Sequence, residues 1–161
     1  MTYWTLNVIF PEFFFASGYD KRKMTTNSQK ALLQENLPDL GHCSLPNWGL
    51  IFIEGPDAAS FLQNQLTNSV LGLTPTSSSK VAQSPSVRLV GYCNPKGRLL
   101  ASAWLSLVSQ ENSSDDRFAL FISKDIAASI AKRLSMYVLR SKVKVINASD
   151  EWSVFGYCSM N

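Results

Sequence analysis

An α+β fold, with two helices laid on one face of a largely antiparallel sheet, is what this sequence predicts. Three features predict it. One is the continuous apolar run Leu50-Ile51-Phe52-Ile53. Another is the tight turn Asn94-Pro95-Lys96-Gly97 between two strand-like segments. The third is a pair of stretches, after Gly55 and after Ser123, whose apolar residues recur at helical spacing. From Gly49 the elements run β-α-β-β-β-α-β-β.

Each element has its own justification. Gly49 to Ile53 is apolar without alternation, as in a strand buried on both faces. Gly55-Pro56-Asp57 breaks it and opens a helix, with Pro56 placed in the first turn. Ala58, Phe61, Leu62 and Leu66 line one face of that helix. Leu73 to Ser86, rich in Ser, Thr and Pro, predicts a loop. Val87 to Cys93 and Arg98 to Val108 form a hairpin around Asn94-Pro95-Lys96-Gly97, where Pro sets φ and Gly admits a positive φ. Leu99, Ala101, Ala103, Leu105 and Leu107 alternate and should face one way. Ser109 to Asp116 is a polar surface loop. Arg117 to Ile122 is a strand with Phe118, Leu120 and Ile122 on one side. Ser123 or Asp125 caps the second helix, and Ile126, Ile130 and Leu134 are its buried stripe. Lys142 to Ile146 alternates charge with Val143 and Val145, predicting one wet face. Trp152 to Tyr157 is a last apolar strand, expected to leave an unpaired hydrophobic edge.

The chain has 161 residues, 45% hydrophobic and 17% charged, which is ordinary globular composition. Its formal charge of +3 permits an anionic ligand or RNA, and a solvated surface accounts for it equally. Cys43, Cys93 and Cys158 are widely spaced and odd in number, which argues against a disulfide framework or a zinc site and for a reducing compartment. The single His42 has no neighbour at ligand spacing and is given a structural role.

Residues 1–23 stand apart. Phe13-Phe14-Phe15 and Lys21-Arg22-Lys23 show no period of 2 or 3.6, no basic n-region and no secretory exit. Met24 begins a more usual polar start, so residues 1–23 are expected to be a leader from a mis-assigned start; a peripheral aromatic anchor is the competing reading. Residues 24–46 form an N-terminal segment, with a short helix over Gln29 to Asn36 stopped by Pro38 and order beginning near Leu45. Residues 47–161 form the main domain. No transmembrane segment is expected.

Dinucleotide, Walker, serine-hydrolase and metalloprotease signatures are all missing. Asp115-Asp116 sit in a polar loop, where solvation explains them. Three segments remain: Gly55-Pro56-Asp57-Ala58-Ala59-Ser60-Phe61-Leu62-Gln63-Asn64-Gln65-Leu66-Thr67-Asn68, then Gly91-Tyr92-Cys93-Asn94-Pro95-Lys96-Gly97-Arg98-Leu99-Leu100, then Met136-Tyr137-Val138-Leu139-Arg140-Ser141-Lys142-Val143. Taken singly they are a capped helix, a hairpin turn and a helix-to-strand link. In this order and spacing, over roughly Trp48 to Gly156, they resemble the YgfZ-type folate-binding proteins, relatives of the aminomethyltransferase (T-protein) of the glycine cleavage system.

The resemblance implies two similar α+β halves around a tetrahydrofolate cavity, and a role in iron–sulfur cluster maintenance and tRNA modification. It implies folate and iron–sulfur enzymes of tRNA modification as partners, neither DNA nor membrane, and a cytoplasmic location, or the mitochondrial matrix in a eukaryote. It marks Gln63, Gln65, Thr67, Tyr92, Asn94 and Lys96 as candidates for the polar lining, and Arg98 or Arg140 for the ligand carboxylate. No catalytic residue and no metal ligand is expected. The T-protein hairpin carries an Asp pair soon after its turn; here Ala101 and Ser102 stand there, which argues against aminomethyl transfer. The second-half signature K-G-C-Y-x-G-Q-E does not occur, so the chain is expected to be a truncated first half, whose opposing half would pack on this one. The alternatives are a folate-dependent one-carbon transferase fragment, and an interaction module using Trp152, Phe155 and Tyr157 at an open sheet edge.

Overall fold

The computed structural model describes residues 4–6, 15–20, 40–74, 87–108 and 116–159. In chain order the elements are β1 (Trp4–Leu6), β2 (Phe15–Asp20), β3 (Leu40–Ser44), β4 (Trp48–Glu54), α1 (Ala58–Gln63) and β5 (Val87–Cys93). They continue with β6 (Leu99–Val108), β7 (Arg117–Ser123), α2 (Lys124–Met136), β8 (Lys144–Asn147) and β9 (Trp152–Ser159). From β4 the order is β-α-β-β-β-α-β-β, the α+β arrangement expected from the sequence. The strands form one five-stranded sheet, β5-β6-β7-β4-β8, and one four-stranded sheet, β1-β2-β9-β3. Every described ladder is antiparallel.

The five-stranded sheet is buried on both faces at its centre. Ile51 and Ile53 of β4, with Phe118, Leu120 and Ile122 of β7, face a core closed by Ala58, Phe61 and Leu62 of α1 and by Ala127, Ile130, Ala131 and Leu134 of α2. Leu50, Phe52, Ala119 and Phe121 face the opposite core, with Ala148 and Val154. Strict alternation between two apolar surroundings is why these strands carry uninterrupted apolar runs.

The second core joins the two sheets. Phe52 on β4 meets Trp152 on β9 edge to face, with ring centroids 5.5 Å apart. The Arg117 guanidinium also lies over the Phe52 ring, 4.0 Å from its centroid. Its Nε is 3.2 Å from Glu54 Oε2 and makes no aligned hydrogen bond, so the contact is ionic. The approach of α2 requires Gly49, since a Cβ there would stand 2.7 Å from Ser149 Oγ and 3.0 Å from Ala127 Cβ.

Several details depart from the sequence reading. β9 is not an open edge: it pairs with β2 over Phe15–Asp20 on one side and with β3 over Leu40–Ser44 on the other. A strand this apolar exposes backbone groups on both sides, and these upstream segments satisfy them. Ordered pairing therefore begins upstream of Leu45. α1 stops at Gln63, and Leu66 leaves the helix to form a bridge with Tyr92. Pro56 precedes the N-cap, Asp57, instead of lying in the first turn. Leu99 is 62% exposed, because a register shift beside Tyr92 and Cys93 breaks the alternation there; Leu100 packs on the core in its place. Lys142 and Lys144 are exposed opposite Val143 and Val145, as expected, but the wet face ends at Ile146, which packs on the second core. The helix expected over Gln29 to Asn36, and most of the loops after Leu73 and Ser109, lie outside the described residues.

Candidate functional site

The first sequence segment is joined to each of the other two by direct hydrogen bonds. After α1 the chain turns along the outer edge of β5. Thr67 N–H donates to the Gly91 carbonyl at 2.9 Å, and the Gly91 N–H donates back to Thr67 Oγ1 at 2.8 Å. Asn68 Nδ2 donates to the Leu89 carbonyl at 3.2 Å. Arg88 donates to the carbonyls of Ser69 and Leu71, at 2.5 and 2.8 Å. Segment 64–71 thus covers a strand edge that would otherwise present unpaired groups. Gly91 allows the close approach: a Cβ there would be 2.8 Å from Leu99 Cδ1 and 3.0 Å from Thr67 Oγ1.

The first and third segments meet at Lys142. Its N–H donates to Asp57 Oδ2 at 2.7 Å. Gly55, at φ 129°, lies against the Lys142 carbonyl. The hairpin turn between the strands is held by its own side chain. Asn94 Oδ1 accepts from the Lys96 and Arg98 N–H groups at 2.9 and 3.0 Å, and Gly97 takes φ 77°.

These contacts sort the residues singled out from the sequence. Gln63, Thr67 and Asn94 serve the backbone; Gln63 Oε1 accepts from the Val70 N–H at 2.8 Å. Gln65 is half-buried and Tyr92 is buried in the helix-side core. Lys96 and Arg98 are exposed on the hairpin turn, and Arg140 is exposed on the link between α2 and β8. Among the described residues none of these three cations has an ion pair. The structure therefore brings together the backbones that carry Tyr92, Thr67 and Gln63, and leaves the cations at the surface.

The sequence reading missed Arg133 and gave Tyr137, inside the third segment, no role of its own; the two lie one helical turn apart at the end of α2, and both act on Tyr92. Burial pushes the Tyr92 phenol above its ordinary value; the Tyr137 phenol pushes it further the same way, and the Arg133 guanidinium pulls it back. The raised value means the fold favours the protonated phenol. That stabilisation is complete below about pH 10 and is lost as pH rises through the raised value. Tyr92→Phe should therefore lose less stability than the native protein above about pH 10, read as the difference in urea midpoints at neutral and alkaline pH. At the positions matching the T-protein acid pair, Ala101 is buried in the core and Ser102 is exposed. Among the described residues no group of three or more His, Cys, Asp or Glu side chains is placed to hold a metal.

No family model matches the chain. Among curated proteins, it is 31% identical over 126 residues to the tRNA-modifying protein YgfZ of Edwardsiella ictaluri, covering 78% of this chain and 33% of that one. It is 28% identical over 110 residues to the mitochondrial iron-sulfur cluster assembly factor IBA57 homolog of Mycosarcoma maydis, covering 68% of this chain and 27% of that one. Over this matched portion the chain is similar to the YgfZ and IBA57 proteins. The chain spans about a third or less of the length of these relatives. The fold is also that of the glycine cleavage system aminomethyltransferase T from Bartonella henselae, with a TM-score of 0.55 at 14% identity over 75% of this chain and 42% of that one. Among the described residues no helix is long and apolar enough to cross a membrane.

Proposed function

We propose that this chain carries the first half of a tetrahydrofolate-binding domain in a YgfZ/IBA57-type accessory protein. That protein supports iron–sulfur cluster maintenance and, through iron–sulfur enzymes, tRNA modification. It works in the cytoplasm of a bacterium or the mitochondrial matrix of a eukaryote. The observation that carries this reading is the direct bonding of the first family segment to each of the other two, with Lys96, Arg98 and Arg140 exposed on the second and third and, among the described residues, without an ion pair.

The residues suit the parts of a folate unequally. Arg140 and Arg98 offer forked donors to the glutamate carboxylates, and Lys96 offers a point charge. Gln65 and the Tyr92 and Tyr137 phenols supply polar groups among apolar surfaces. Gln63, Thr67 and Asn94 shape the site through the backbone and leave ligand contact to others.

Calorimetric titration of the chain with tetrahydrofolate tests the reading. Saturable binding is expected, weakened about tenfold by Arg140→Ala, the loss of one charge-assisted contact. Absence of binding would remove the ligand. A one-carbon transferase is disfavoured by Ala101 and Ser102. The interaction-module reading loses its motive, because both edges of β9 are paired.

A further inference from the structure

The side chain at the N-cap of α1 does not cap its helix. An Asp in that position ordinarily accepts from an N–H in the first turn of the helix it precedes. Asp57 makes no such bond. Its carboxylate instead accepts the N–H of Lys142, 85 residues along the chain, at 2.7 Å. A local rule broken without local gain is expected where a residue serves something beyond its own element.

What Asp57 holds is an unusual piece of backbone. Between Tyr137 and Val143 the link folds tightly, with Ser141 N–H on the Val138 carbonyl at 2.8 Å and Val143 N–H on the Ser141 carbonyl at 2.9 Å. Leu139 takes φ 38°, a left-handed conformation unfavourable for a branched aliphatic residue, and is 88% exposed. Such strain persists only where the surroundings fix it. The fixing contacts are Asp57 on the Lys142 N–H and Gly55 against the Lys142 carbonyl. Arg140 sits between the strained Leu139 and the clamped Lys142, with its side chain exposed.

We infer that Asp57 is a positioning residue: it fixes the turn that presents the Arg140 guanidinium to the anionic group of the ligand. This rests on the folate reading, in which that group is the glutamate carboxylate. It explains why the first and third segments occur together, since the one supplies the clamp and the other the guanidinium.

Tetrahydrofolate and tetrahydropteroate, which lacks the glutamate, separate positioning from general support. With the full chain, Asp57→Ala should weaken tetrahydrofolate about tenfold, as if the Arg140 contact were lost, and leave tetrahydropteroate unchanged. Asp57→Asn, which keeps an acceptor oxygen, should restore most of the affinity. Equal loss for both ligands would overturn the inference, because it would mark a merely structural role. A second readout needs no folate: trypsin cleavage after Arg140 under native conditions should be faster in Asp57→Ala than in the native chain or Asp57→Asn. Equal cleavage in all three would also overturn it. If the native chain binds neither ligand, the folate reading falls, and the cleavage rates still decide whether Asp57 holds the turn.

Discussion

Replacing Gly55 by alanine is expected to destabilise the fold by about 2–5 kcal/mol, combining overpacking of about 1–3 with left-handed strain of about 1–2. Two effects coincide at this position. Its φ of 129° is a conformation that residues with a Cβ rarely adopt. An added Cβ would also fall against the Lys142 carbonyl, a backbone atom that cannot swing aside. Relief would require moving the link, which would break the Asp57 bond to Lys142. The substitution should therefore lower the urea midpoint and also expose the link to trypsin. Marginal domain stability, about 5–15 kcal/mol in total, makes a loss of this size easy to measure.

Phe118→Ala should have an effect as large, about 3–5 kcal/mol, by emptying the centre of the helix-side core. Phe118 is 2% exposed on β7, the middle strand of the five-stranded sheet. It is one of the largest fully buried side chains among the described residues. Truncation there loses apolar transfer energy and leaves a cavity that strands fixed on both sides cannot close. Leu99→Ala is the matching control. At 62% exposure, Leu99 should change stability by no more than about 0.5 kcal/mol. Denaturant midpoints of the two variants, compared at equal slope, check both values.

The strands were legible in the sequence because their burial is regular. Leu50 to Ile53 and Phe118 to Ile122 alternate between two apolar cores, and an unbroken apolar run is the signature of that situation. The hairpin was legible because Pro95 and Gly97 have narrow conformational uses. The partners of β9 were not legible. Phe15–Asp20 and Leu40–Ser44 are joined to it through backbone pairing across more than a hundred residues, and no local period announces such pairing.

The candidate site was legible only in part, for a related reason. Motif residues reveal which segments matter and not which of their atoms are free. Gln63, Thr67 and Asn94 looked like ligand groups by residue type, and each is bonded to the backbone. Asp57 looked like part of a helix start and is bonded to Lys142, 85 residues along the chain. Arg133 lay just before the third segment and Tyr137 inside it, at helical spacing, but their relation to Tyr92 needs the fold to bring α2 to the end of β5.

The most direct test of the claim that the three segments form one folate site is the mapping of amide chemical shifts during a tetrahydrofolate titration. The largest saturable shifts should fall together on residues 63–67, 91–98 and 137–142, with Lys142 among them, and should fade in Arg140→Ala. Shifts confined to one segment, or scattered over the sheets with no common saturation, would contradict it.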